Sequence, residues 1–198
     1  VVFTAPSGVA GEVLSFSTDN GVREHDLGGT IQGLLRIPGT DLLVATVLNL
    51  ETGEGRLVLW DILYEAVVDS LRPTASSVPY RLALDAEGGV LYVSDAEHGS
   101  IYEVVLEQGR HASTPSLSWV DTINSSSPVA EMAFLGTDEY RRLFLAEEGA
   151  LSVMIYDLET DSWLDSSPHS TAVDGVSMGS AVMGLAATPR AVVTPQST

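Results

Sequence analysis

The feature that most restricts the fold is a repeat. Four segments alternate apolar and polar residues with a period of two: Glu12–Ser17 (EVLSFS), 56–61 (RLVLWD), 100–105 (SIYEVV) and 152–157 (SVMIYD). Val13, Leu57, Ile101 and Val153 take equivalent places in them, at steps of 44, 44 and 52 residues, and each segment follows a Gly or Ala that closes a polar turn. Such alternation belongs to strands, whose side chains point to opposite faces in turn. Helices need apolar residues three and four apart, and these units lack them.

Each unit contains further strand candidates. One precedes each segment, at 1–4, 42–45, 90–93 and 142–145, and in three units another apolar stretch comes before that, at 33–37, 81–85 and 131–135. A closing strand ends each unit, at 22–26, 66–69, 118–121 and 162–165, so that Asp26, Asp69, Asp121 and Asp165 recur. Four antiparallel strands in about 40 to 50 residues form the blade of a β-propeller. The expected fold is therefore all-β, a β-propeller of about four four-stranded antiparallel blades in one domain over 1–198. Its units run at about 1–28, 29–73, 77–124 and 128–166, with a partial unit at 180–195; 166–179 reads as a Ser-rich loop and 195–198 as a loose tail. The partial unit offers a first strand at 181–187 and the chain begins on a second strand, which together would close a four-bladed ring. The extra strand-like stretch 191–194 suits instead a portion of a larger propeller. A β-sandwich is the alternative all-β reading.

Charge narrows the partners. The 198 residues hold 27 Asp and Glu against nine basic residues, all Arg, for a formal net charge of −18. Such a field repels phosphate backbones and anionic lipid heads, so nucleic acid is excluded as a partner, while a basic protein face or divalent cations fit. The plainer reading of the acidity is solubility. No cysteine is present, hence no disulfide and no thiolate site. Asp, Glu, Gly or Ser interrupts every apolar run, so no transmembrane segment is expected. The first residue is Val, which reads as a processed chain or a piece of a longer one. With it goes the expectation of an extracytoplasmic location: periplasmic, cell-surface or secreted. There is no G-x-S-x-G nucleophile turn and no G-x-x-x-x-G-K phosphate loop.

The run 79–106, PYRLALDAEGGVLYVSDAEHGSIYEVVL, resembles a repeat of the six-bladed propeller superfamily that includes the NHL, YWTD and gluconolactonase/strictosidine-synthase-like proteins. Their blades carry a Pro, an apolar strand, a Gly turn, LYVSD or LYVAD, and then I-Y-x-V; 131–158 is a degraded copy. The resemblance implies propeller architecture, which serves enzymes and inert binding scaffolds alike. For the gluconolactonase-like enzymes it implies a divalent metal held on the axis by Glu, Asn and Asp from different blades, one in a P-N-G and one in the following Y-V-x-D. Asp95 matches the second motif; Pro79-Tyr80-Arg81 stands in place of the first, with a cation where a ligand is required. On this likeness the metal candidates are Asp95 and Glu131, for Ca²⁺ or another divalent cation.

The residues themselves leave these readings open. Asp95, Glu97 and His98 share one short loop and could ligate a divalent metal, or simply supply the turn chemistry of a hairpin closed by Gly99. Thr46 and Glu147 stand where Asp95 does in the aligned units. Gln32, Arg81 and Glu131 enter the innermost strands and are the channel-lining candidates, either holding a polar small-molecule ligand or pairing with one another. The recurrent Asp residues form an acidic rim for a partner or guard an edge strand, and alternation turns Trp119 and Trp163 inward as packing residues. The function expected is a non-catalytic scaffold for protein–protein interaction, an accessory subunit of a larger extracytoplasmic assembly. The alternative is a metal-dependent lactonase-like hydrolase.

Overall fold

The structure, a computed structural model, describes residues 2–4, 12–17, 21–107, 114–137, 140–148 and 153–164, and side chains among them from His25 onward. Among the described residues there are fifteen strands and no helix, gathered into four antiparallel sheets. The first sheet has three strands, β1 (Val2–Thr4), β2 (Glu12–Ser17) and β3 (Gly21–Asp26). The second has β4 (Thr30–Arg36), β5 (Leu42–Asn49), β6 (Glu54–Asp61) and β7 (Ala66–Leu71). The third has β8 (Pro79–Asp85), β9 (Val90–Asp95), β10 (Ser100–Glu107) and β11 (Ser116–Asn124), and the fourth β12 (Val129–Gly136), β13 (Arg141–Glu147), β14 (Met154–Asp157) and β15 (Ser162–Trp163). Within each sheet, strands neighbour one another in chain order. The all-β fold of four-stranded antiparallel blades read from the sequence is thus observed. The expectations for Asp165, 166–179, 180–195 and 195–198 lie outside the described residues.

Three apolar layers hold the sheets face to face. Leu42, Val44, Leu57 and Leu59 of the second sheet meet Leu91, Val93, Tyr102, Val104, Leu106 and Leu117 of the third. Tyr92 and Ile101, on the third sheet's other face, meet Met132, Leu143, Leu145, Met154 and Tyr156 of the fourth. Leu43, Ala45, Val47, Val58 and Trp60 cover the second sheet's remaining face, where Trp60 packs against His25 of β3, ring centroids 4.6 Å apart. Burial on both faces explains why LLVATVL and VLYVS read as near-continuous apolar runs. Each such side chain, fully buried, contributes about 1.5–3 kcal/mol. The blade interfaces therefore supply the main stabilisation.

The faces also correct one alignment. Thr46 lies on the face with Leu42 and Val44, toward the third sheet, whereas Asp95 lies on the face with Leu91 and Val93, toward the second. The counterpart of Thr46 is therefore Ser94. A slip of one residue reverses every face, and the hairpin β5–β6 hides it by being longer than β9–β10.

The inner strands β4, β8 and β12 are all bulged near their starts, at 31–33, 79–82 and 129–131. A bulge re-aims side chains and bares carbonyls beside it. It is these bulges that place Gln32, Arg81 and Glu131.

Candidate functional site

The candidate site grows from those bulges. The guanidinium of Arg81, on β8, donates from Nε to the Ala130 carbonyl (3.0 Å) and from Nη1 to the Gln32 carbonyl (3.1 Å), while Nη2 pairs with Glu131 Oε1 at 3.0 Å. One side chain thus ties three blades together and neutralises Glu131. Its face also stacks on Tyr80, 4.2 Å from the ring centre. Gln32, Arg81 and Glu131 are brought together through Arg81, which bonds Gln32 at its main chain and Glu131 at its side chain. Beside them Thr46 Oγ1 donates to the Tyr80 carbonyl (2.7 Å) and Ser94 Oγ accepts from the Arg81 N–H (3.0 Å). β4 and β8 approach so closely that a Cβ on Gly33 would sit 2.5 Å from the Tyr80 oxygen.

Asp95 is fully buried at the end of β9. Its Oδ1 accepts from the N–H groups of Glu97 (2.8 Å) and His98 (2.9 Å) and lies 3.1 Å from His98 Nδ1. Its Oδ2 accepts from the Tyr102 hydroxyl (2.8 Å) and the Val78 N–H (3.2 Å). Burial pushes this carboxyl upward, but the donors of Glu97, Tyr102, His98 and Val78 together hold it below its ordinary value. Tyr102 moves the other way, pushed up to about 12 by burial and then by its bond to Asp95. Asp95 therefore caps the β9–β10 turn and clamps the loop that leads into β8. A cation would have to displace this whole set, and Glu131, the other metal candidate, is held by Arg81. Among the described residues no three His, Asp or Glu side chains gather to hold a metal ion. The donor set does not suit one.

The other blades solve the same problem differently. Glu147 Oε1, at the end of β13, accepts from Ser125 Oγ (2.8 Å), Ser126 Oγ (2.6 Å) and the Ser127 N–H (2.9 Å), fixing the loop that leads into β12. In the second sheet Arg56 Nη2 reaches the Leu27 carbonyl (3.0 Å), and Asn49 Oδ1 caps the β5–β6 turn through the N–H groups of Glu51 and Thr52.

One inter-blade pair is not evident in the sequence. Asp85, buried at the end of β8, accepts from Arg141 Nε (2.9 Å) and Nη2 and caps its own turn through the Glu87 and Gly88 N–H groups. The signal for Asp85 was its place before Gly88-Gly89; nothing in the sequence pairs it with a residue 56 positions later.

On the outer strands, Asp69 Oδ2 accepts from the Leu117 N–H (2.8 Å) and so joins β7 to β11, and Asp121 Oδ1 caps the Thr122 N–H (2.7 Å). Asp69 and Asp121 occupy equivalent places, pairing with Leu59 and Glu103, whereas Asp26 pairs with Glu12 at the far end of its strand. Trp163 packs inward, edge-on to Tyr156 at 4.9 Å. Trp119 does not: 47% of it is exposed. The bulge at Val120 breaks the alternation there, and the indole N–H turns back along its own strand to the Asp121 carbonyl (2.7 Å) and Thr122 Oγ1.

A cleft of about 250 Å³ opens beside the Arg81 cluster, lined by Tyr80, Ala96, Pro128, Val129, Ala130 and Glu148. A second, of about 280 Å³, lies among Asp26, Gly28, Gly29, Thr30, Asn49, Leu50 and Glu51. Neither gathers a nucleophile with a base and a third orienting group.

Solved structures share this arrangement. The β-propeller domain of Cps50 (Swd1) from Myceliophteria thermophila superposes with a TM-score of 0.65 at 14% identity, over 85% of this chain and 57% of that one. The chain is built as β-propeller blades. A chain of the mitotic checkpoint complex matches with a TM-score of 0.62 at 16% identity, over 91% of this chain and 48% of its own length. The propeller blades here thus span about half the length of those chains. No protein-family model matches the sequence, and no curated protein matches it. No helix among the described residues is long and apolar enough to cross a membrane.

Proposed function

We propose that these blades form a non-catalytic scaffold that holds a protein partner, as an accessory subunit of a larger assembly outside the cytoplasm. The observation that carries this reading is the Arg81 clasp: the polar side chain best placed for axial chemistry is spent on the Gln32 and Ala130 carbonyls and on Glu131. A ligand on the axis would have to break bonds that join three blades. What remains for function is a rigid frame with loops and outer strands on its surface. One similar structure comes from the mitotic checkpoint complex, itself a protein assembly, which supports a binding role. The likeness of 79–106 to the NHL, YWTD and gluconolactonase-like superfamily adds kinship at the level of a repeat. The strongly acidic surface suits an extracytoplasmic setting and a basic partner.

The test is native purification at low salt followed by light scattering and metal analysis. A stoichiometric complex with another protein is the expected result. Elution as the lone 20.9-kDa chain under all conditions would overturn the scaffold reading. A stoichiometric divalent ion, lost together with lactone hydrolysis in Asp95→Ala, would replace it with the hydrolase.

A further inference from the structure

We propose that the outer rim at the β6–β7 turn, with Leu63, Tyr64 and Val67, docks a partner protein presenting an apolar anchor flanked by basic residues. This rests on the scaffold reading and adds to it a surface and a partner chemistry.

The argument comes from two copies of one turn. After β6, Asp61 Oδ1 accepts from the Leu63 N–H (2.8 Å) and the Tyr64 N–H (2.9 Å), and Glu65 takes a left-handed backbone with φ of 54°. After β14, Asp157 Oδ1 accepts from the Glu159 and Thr160 N–H groups, both at 3.0 Å, and Asp161 has φ of 51°. Backbone, cap and strained residue are the same in both. At the two tip positions one blade has Glu159 and Thr160, as a solvated turn should, and the other has Leu63 and Tyr64, which are 68% and 77% exposed. The fold does not require apolar side chains there, and exposing them lowers solubility. A contact made by the rim accounts for them.

Exposed apolar side chains continue from the turn onto β7 and occur again on β11. Val67 on β7 is 53% exposed, and Val120 beside Trp119 on β11 is 56% exposed. β7 and β11 are held together by the Leu117 N–H bond to Asp69. Capping fixes the backbone of the turn, so little backbone freedom is lost there on binding. Both strands carry a bulge, at Val68 and Val120, which guards an edge against added strands, so docking uses side chains and not sheet extension.

Charge selects the occupant. Segments 62–71 and 116–124 hold Glu65, Asp69 and Asp121 and no basic residue. A second copy of the chain would bring the same acids face to face, on a molecule with net charge −18, and anionic lipid is repelled for the same reason. A basic, apolar-tipped protein surface meets both features.

The experiment measures the anisotropy of a fluorescein-labelled amphipathic peptide of leucine and lysine at about 0.15 M salt. Leu63→Glu combined with Tyr64→Thr copies the blade whose turn already carries those residues. Affinity is expected to fall about tenfold or more, although the variant adds a negative charge that by itself favours a lysine-rich ligand. Unchanged or tighter binding overturns the inference. So does equal binding of a serine–lysine peptide of the same charge, self-association of the wild type abolished by the variant without peptide binding, or binding to phosphatidylcholine vesicles that the peptide does not displace. If the double variant misfolds, Val67→Thr reads the same rim and must weaken binding severalfold; no change overturns the inference. Native complexes that persist in the double variant sink the rim proposal and leave the scaffold standing, whereas a wild type without complexes sinks the scaffold itself.

Discussion

Asp95→Ala separates the turn-capping role of this carboxylate from a metal-binding one. The substitution strips the acceptor from four N–H or O–H donors and from the His98 ring. The Glu97 and His98 N–H groups are at a partly exposed turn, where water replaces the lost bonds at small cost. The Val78 N–H lies on a residue only 7% exposed and is orphaned, whereas the Tyr102 O–H, on a residue 4% exposed, keeps hydrogen-bond partners in the Thr74 and Ser100 side chains. An orphaned buried donor costs about 1–3 kcal/mol, the weakened turn and hydroxyl bonds add to it, and relief of the carboxylate's own burial offsets part of the sum, leaving a loss of about 2–3 kcal/mol. In urea, with a slope of about 2 kcal/mol per molar, the unfolding midpoint at pH 7 falls by about 1–1.5 M. Asp95→Asn keeps an acceptor for the turn, as Asn49 does in the preceding blade, but sets an amide N–H against the Val78 N–H; its loss is smaller, about 1–2 kcal/mol. Tyr102→Phe removes one donor, and combined with Asp95→Ala it falls short of additivity by about 0.5 kcal/mol or more.

The pH dependence carries the same logic. Because the folded carboxyl lies below its unfolded value of 3.8, its stabilisation is fully present above that value and is lost as pH falls through the folded pKa. The gap between wild type and Asp95→Ala therefore stays constant at neutral pH and narrows below about pH 4. A loss under 1 kcal/mol with a pH-independent gap would refute the capping account. A wild type destabilised by chelator, to the level of the variant, would refute it in favour of a metal.

Arg81→Met breaks the clasp between blades, baring two carbonyls and leaving Glu131 without its cation; allowing for the one-third exposure of Arg81, the loss is about 2–3 kcal/mol by urea denaturation, and Glu131→Gln in the same background restores part of it. Gly33→Ala forces a Cβ to within 2.5 Å of the Tyr80 oxygen and separates β4 from β8, so the melting temperature drops by several degrees. Glu103→Gln moves the opposite way. Burial, then the charges of Asp121 and Asp161, push the Glu103 carboxyl above its ordinary value, so its ionisation at pH 7 opposes folding. The variant is more stable at pH 7, and the gain fades as pH falls through the carboxyl range, measured by thermal unfolding across pH.

What the sequence discloses follows from which interactions are periodic. Strand alternation repeats because every blade must bury two faces, so the order of strands is readable wherever LVLW or VLYVS recurs. Gln32, Arg81 and Glu131 were readable as a group because each opens an inner strand, and inner strands must meet. The bonds between blades are not periodic. Arg81 reaches 49 residues in each direction and Arg141 reaches back 56, and each interface holds its incoming loop with a different residue: Arg56, Asp95 or Glu147. No repeat marks such contacts, and a single bulge, as at Val120, is enough to turn Trp119 from a packing residue into an exposed one. The capped turns after β6 and β14 show where repetition becomes informative again. When two turns share cap, register and backbone and differ only at their tips, the shared part is what folding demands. The difference, Leu63 and Tyr64 against Glu159 and Thr160, is then free to serve something other than the fold.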